Sequence, residues 1–422
     1  MRDAWAAICN DTLFDSKFMT TSYPCLPNII VSNMITSLSI VGAGNCGCAF
    51  AADLESRGIR VLLYAHPDHS NNVDAIRRDG FLDSIGVVAG RFYPLVSTSM
   101  KEALQFSNVV ILAVPSYAQD DILSELEKFD VSNHIIIAAS GNFFTLVASK
   151  RIRARYLLET SASPYGSRVV GGKYKEQQHA VSWYGINVFG FKTVMPIGSL
   201  PADINRNLRA DIGAIFPGTL QWCSNVIEAA FYNFNGVLHP ITAVMNAGWI
   251  EHTKGDFYFY QEGMTPSVTK IMQAIDNERV SIAHEYGARV VSCLKQMNTY
   301  YGMNHGSLNE FAKGSTLHST MKLCPTSMQH RYLAEDLPYV LVPWYELGLK
   351  AGKQSPFIRS LILWSSMINN TDYLGIGRNL KALGLADWSL DEILSYINAE
   401  EFTLLDVQCM PKDIMDISRP KL

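Results

Sequence analysis

The chain has 422 residues, too long for one compact core, so two domains of roughly 200 residues each are expected. Hydrophobic residues make up 48% and charged residues 18%, the proportions of a globular protein with large buried faces. A net charge of −4 argues against a general affinity for nucleic acid or anionic membrane, and no apolar run reaches the roughly 18 residues of a bilayer span.

Residues 1–34 read as an N-terminal extension, without the basic start and apolar block of a secretory signal. The eight cysteines are scattered without zinc-site spacing, so no metal is expected and a reducing, cytoplasmic setting is. From residue 35 short apolar runs alternate with amphipathic stretches: "SLSIVGAG", "IRVLLYA", "SNVVILAVPS", "HIIIAAS" and "ARYLLETSAS". Runs of this length, rich in Ile and Val, fit strands buried on both faces of a parallel sheet covered by helices. "SWYGINVFGFKTVMPIG" then alternates like a strand pair closing this domain, which is expected to span 35–218. The fold class is α/β: an N-terminal Rossmann-type, doubly wound parallel sheet followed by a mostly α-helical second domain over 219–422.

Between the first strand and its helix stands the stretch Gly42, Ala43, Gly44, Asn45, Cys46, Gly47. Gly42 permits a tight turn, Gly44 lets the backbone approach a pyrophosphate, and Gly47 allows close helix–strand packing, with the helix N-terminus facing the phosphates. A dinucleotide is therefore expected on these residues. The second strand ends at Ala65 where an acid usually binds the ribose hydroxyls, which leaves room for a 2′-phosphate. His66, His69, Ser70 and Arg77 are the candidate donors, so NADP(H) is expected, with NAD(H) as the alternative. Asp68 dissents, since a turn after Pro67 would bring its carboxylate to the ribose.

The rear half has helical periodicity throughout. "TPSVTKIMQAIDNERVSIAHEYGARVVSCLKQM" reads as one long helix opened by Pro266, and "HRYLAEDLPYVLVPWYELGLKAG" and "SPFIRSLILWSSMINN" follow the same period. Redox chemistry on carbon needs a proton donor or acceptor, and a histidine oriented by a carboxylate suits that work. His239, at the mouth of an apolar helix just before Pro240, is the candidate, though a structural histidine at a helix start is the commoner case. Arg331 and Glu335 are four apart, the spacing of a surface ion pair. In the functional reading Arg331 is a fork for a substrate carboxylate and Asp336 orients His239. Glu159 and Thr160 follow a strand at the carboxyl edge, where doubly wound sheets bind ligands.

At these residues the sequence resembles the opine dehydrogenases, the octopine and nopaline synthase/dehydrogenase family. The resemblance spans 36 to about 400 and rests on "GAGNCGCAFAADL", "VVILAVPSYAQDDILSEL", "LLETSASPYG", "IFPGTLQW", "HPITAVMNAGWIE", "FYFYQEGMTPSV", "AIDNER" and "MQHRYLAED". It implies reductive condensation of an amino acid with a 2-oxo acid, pyruvate or 2-oxoglutarate, and it allows for a homodimer. It makes His239 the general acid/base, Asp336 its orienting partner and Arg331 a carboxylate binder. Glu159, Thr160 and Gln119 become contacts to the amino acid and the oxo acid. Competing readings are another two-domain NADP-dependent 2-oxo or hydroxy acid dehydrogenase, which would typically use a lysine, and a non-catalytic NADP-binding sensor. Relatives begin near the first strand, so the front extension is the departure.

Overall fold

The computed structural model describes residues 35–171, 184–315, 319, 322 and 324–399. The expected extension over 1–34 and the end of the second domain, 400–422, lie outside them. Among the described residues twelve strands form: β1 (Ser37–Val41), β2 (Arg60–Tyr64), β3 (Leu82–Gly86), β4 (Gly90–Phe92), β5 (Leu95–Ser97) and β6 (Val109–Leu112) come first. β7 (Ile135–Ala138), β8 (Tyr156–Thr160), β9 (Tyr165–Gly171), β10 (Tyr184–Phe191), β11 (Val194–Leu200) and β12 (Thr219–Trp222) follow.

Eight of them build one sheet in the order β12-β11-β8-β7-β6-β1-β2-β5. It is parallel except where β11 runs against β8. Val41 pairs with both Tyr64 and Leu112, so β1, β2 and β6 end level at one edge. Strand order reverses between β1 and β6, and the crevice outside their carboxyl ends is where open α/β sheets take ligands. The expected doubly wound sheet is present, and the helical domain follows it.

Three details differ from the sequence reading. β10 and β11 do not pair: β10 joins a four-stranded sheet, β4-β3-β10-β9, while β11 enters the large one. Burial explains the separation, because β11 is buried over six consecutive residues and suits a covered sheet, whereas β10 carries half-buried and exposed positions toward its end. β12 extends the large sheet past residue 218, pairing Thr219–Trp222 with Val194–Ile197. The long rear helix breaks into Pro266–Glu285 and Cys293–Tyr301, with Gly287 taking a positive φ of 70° and Ser292 capping the second piece.

One face of the large sheet and the rear helices share a continuous core, running from Val41 and Leu112 through Phe231 to Trp344. The other face packs Leu38, Ile40 and Ile111 under Phe50. Among the described residues no helix is long and apolar enough to cross a membrane.

The string "AIDNER" turns out to brace this core. Arg279 is fully buried; its Nε donates to Asp276 Oδ1 at 2.9 Å and its Nη2 to the Val291 carbonyl at 2.8 Å. Asp276 Oδ2 accepts the Cys293 amide at 2.8 Å, so one ion pair ties both pieces of the broken helix. Removing one partner strands a buried charge. Asp276→Ala is expected to lower stability by about 3–5 kcal/mol, read from urea unfolding, and a loss below about 1 kcal/mol would refute the bracing role.

Candidate active site

At the crevice, the helix Asn45–Ser56 opens on Gly44 with no side-chain cap, leaving its first amides for a ligand. A Cβ on Gly44 would meet nothing within 4 Å, whereas one on Gly47 would lie 1.7 Å from the Gly42 carbonyl oxygen. Gly42 itself has φ +112° and lies against the Ala113 carbonyl, just past β6. The loop is thus closed toward the protein and open toward the crevice, which fits a dinucleotide pyrophosphate. The side chains within the motif are spent internally. Asn45 Oδ1 accepts Val169 N–H at 2.7 Å, the Cys46 thiol accepts from Ser163 Oγ at 3.3 Å, and the Ala43 carbonyl accepts Asn72 Nδ2 at 2.7 Å. Burial pushes the Cys46 thiol up to about 11, so it is an inert group there. Residues 43 and 46 can offer a ligand their backbone only.

Past β2, Ala65 is buried and its amide bonds the Ser97 carbonyl. His66 Nδ1 accepts the Asp68 amide at 3.3 Å. Ser70 Oγ donates to Asp74 at 2.5 Å, and Arg77 pairs with the other oxygen of Asp74. Two expected phosphate donors therefore share one carboxylate in this structure.

In the helical domain the predicted pair meets. His239 Nδ1 lies 2.8 Å from Asp336 Oδ2, with both side chains largely buried. A carboxylate only accepts, so it holds the proton on Nδ1 and leaves the lone pair on Nε2. His239 is the fifth residue of the helix Asn235–Met245, not its opening residue, because Pro240 is accommodated inside the helix. Two residues that sequence reasoning missed complete its surroundings. Tyr260 Oη is 3.0 Å from Nε2, and the Tyr332 ring stacks on the imidazole with centroids 4.1 Å apart. Burial keeps the Tyr260 phenol protonated, well above its ordinary range, and burial likewise holds His330, beside Tyr332, below its own. Asp336 is placed by a break in the helical ladder: Arg331–Ala334 is a short α-turn, Leu337–Leu341 a π-helical turn, and Val342–Lys350 resumes the α-helix. Pro338 and Pro343 lack the amides that an uninterrupted α-helix would need.

Arg331 and Glu335 do form the expected pair, at 3.2 Å, with Arg331 64% exposed. Glu335 itself is buried and accepts from Ser116, the first residue of a turn after β6. The remaining predicted contacts are turned inward. Glu159 accepts the amides of Phe143 at 3.0 Å and Thr145 at 2.8 Å, closing the start of the helix Phe144–Ala148. Its burial raises its pKa against the pull of those donors. Thr160 donates to the Ala162 carbonyl at 2.8 Å. Gln119 donates to the Ser140 carbonyl at 3.1 Å and accepts from Arg378 at 2.6 Å. All three are fully buried, so their polar atoms serve the loops around the crevice.

The family described as NAD/NADP octopine/nopaline dehydrogenase, alpha-helical domain, matches residues 222–369, and that described as ketopantoate reductase PanE/ApbA matches 38–156. Vitopine synthase of Allorhizobium ampelinum is 26% identical over 372 residues, covering 86% of this chain and 99% of its own. Among solved structures, octopine dehydrogenase in complex with NADH and agmatine superposes with a TM-score of 0.66 at 16% identity, over 85% of this chain and 98% of that one. Yersinopine dehydrogenase with NADP+ bound gives 0.61 at 14% identity, over 87% and 98%. Both structural likenesses are of fold.

The glycine loop yields a paired test. Gly44→Ala should melt like the parent yet weaken NADPH binding about tenfold or more, the scale of lost charge-assisted hydrogen bonds to a phosphate. Gly47→Ala should instead lower the melting temperature, since its Cβ collides with backbone. Equal NADPH titrations for parent and Gly44→Ala would show that the pyrophosphate sits elsewhere.

Proposed function

This chain belongs to the opine dehydrogenase family of NAD(P)-dependent oxidoreductases, and from that premise we propose that it reductively condenses an amino acid with pyruvate or 2-oxoglutarate to an N-(carboxyalkyl) amino acid. The observation that carries this reading is the 2.8 Å bond between His239 and Asp336, next to a residue, Glu335, that reaches the carboxyl edge of the dinucleotide sheet. A curated relative covered almost end to end, vitopine synthase, supports it.

In this mechanism His239 works at Nε2. It accepts a proton as the amine attacks the keto carbon and returns it to the hydroxyl that leaves as water. Asp336 keeps the imidazole in the tautomer that makes Nε2 basic and stabilises the imidazolium that forms. The Tyr260 hydroxyl occupies that nitrogen's hydrogen-bond position, so the substrate either displaces it or exchanges protons through it. Arg331 offers a planar fork to a substrate carboxylate. A bound reduced nicotinamide supplies the hydride for the carbon–nitrogen double bond. We assign NADPH as the preferred donor because β2 ends without an acid, with Ser70 and Arg77 turning from Asp74 to the 2′-phosphate.

Two measurements test these assignments. NADPH oxidation should be screened with amino acids against pyruvate and 2-oxoglutarate, using parent and folded His239→Ala. The variant should turn over about a hundredfold or more slowly, the scale of a general acid/base, with unchanged NADPH affinity. Asp336→Asn should also slow turnover, and near-normal rates in His239→Ala would remove the centre of the mechanism. For the cofactor, Arg77→Ala should raise the KM for NADPH about tenfold, as expected for one charge-assisted phosphate contact, and leave that for NADH unchanged. Parallel changes for both cofactors would place Arg77 away from the 2′-phosphate.

A further inference from the structure

Glu335 is buried, at 8% exposure, although its i−4 partner Arg331 is largely in solvent. An ordinary surface pair at this spacing would leave both groups exposed and contribute little. Here the two carboxylate oxygens serve different domains. Oε2 faces Arg331 Nη2 at 3.2 Å, while Oε1 accepts the Ser116 amide at 3.1 Å and the Ser116 hydroxyl at 3.2 Å. Glu335 and Ser116 are 219 residues apart in sequence.

Ser116 follows β6 at the crevice, and its Oγ accepts from Asn142 Nδ2 at 2.8 Å. Asn142 Oδ1 in turn accepts from Asn233 Nδ2 at 2.7 Å, returning the network to the segment before the His239 helix. The Glu335 carboxylate is therefore clamped by the sheet domain before it meets Arg331.

We propose that Glu335 is a positioning residue: clamped by Ser116, it aims the Arg331 guanidinium at the substrate carboxylate, so contact between the two domains at the dinucleotide crevice sets substrate affinity. This rests on the proposed role of Arg331 as the carboxylate fork. The physical basis is preorganisation. A long, exposed arginine must lose rotamer freedom to bind, and a fixed carboxylate removes that cost before the substrate arrives. One Nη is held by Glu335, which leaves the other edge of the fork for a bidentate ligand.

Steady-state kinetics on Glu335→Gln, Ser116→Ala, Arg331→Lys and the Glu335→Gln/Arg331→Lys double variant test the idea, with melting temperatures to verify folding. Glu335→Gln keeps the shape and an acceptor for Ser116 but loses the charge on Arg331. It should raise the KM of one carboxylate substrate about three- to tenfold, the cost of one freed side chain, while moving kcat and the NADPH dissociation constant by less than about twofold. Ser116→Ala, which retains its amide, should move the same KM the same way by less. The double variant should match Arg331→Lys alone, because Glu335 acts through Arg331. An unchanged KM in Glu335→Gln beside a raised one in Arg331→Lys, or additive effects in the double variant, would overturn the proposal. Should Arg331→Lys leave every substrate KM at the parent value, the carboxylate reading of Arg331 itself fails and takes this inference with it.

Discussion

Polar groups buried where the sheet's carboxyl edge meets the helical domain must find partners there, and that constraint organises the site. Arg378 is the clearest case. Buried and cationic, it donates to the carbonyls of Gly141 and Asn142 at 3.1 and 2.6 Å and to Gln119 at 2.6 Å. The Tyr339 ring lies under its guanidinium, 4.9 Å away. Left unpaired, each such group would cost on the order of 1–3 kcal/mol, and a charge more. The loops after β6 and β7 are therefore held in place by side chains from the other domain. Asn142 and Phe143, both at positive φ, are held in that strained form by Arg378 on the Asn142 carbonyl and by Glu159 on the Phe143 amide.

The same constraint shows which polar residues at the crevice are spent on loop structure and which meet only other side chains. Glu159 and Gln119 sit at the expected edge, yet their polar atoms are consumed by loop amides and by Arg378. In the His239–Asp336 pair the second ring nitrogen faces the Tyr260 hydroxyl, a side chain and not a backbone group.

Much of this was legible in the residue order. Short Ile- and Val-rich runs ending in Gly, Pro or Ser foretold β1, β2, β6, β7 and β8, because a strand covered on both faces needs apolar residues at every position. The glycine spacing foretold the turn, since only glycine tolerates the Gly42 geometry and the approach at Gly47. Periodicity misled where a local break was needed: Gly287 follows the end of one helix and Pro338 lies in a π-helical turn, although the apolar spacing continues past both. Tyr260 and Tyr332 stand in two of the strings that carry the family resemblance, yet nothing nearby in the sequence shows that one faces Nε2 and the other stacks on the ring.

The sequence by itself determined the fold class and the glycine loop, since each depends on local spacing, while His239 and Asp336 were singled out through the family resemblance. Tertiary structure decided which distant atoms meet. Asp336 reaches His239 across 97 residues and Glu335 reaches Ser116 across 219. Glu159 turns from the ligand side toward the Phe143–Thr145 amides. Hydrogen bonds are satisfied by whatever lies within about 3 Å in the folded chain, and no periodicity along the sequence encodes which distant atoms those will be.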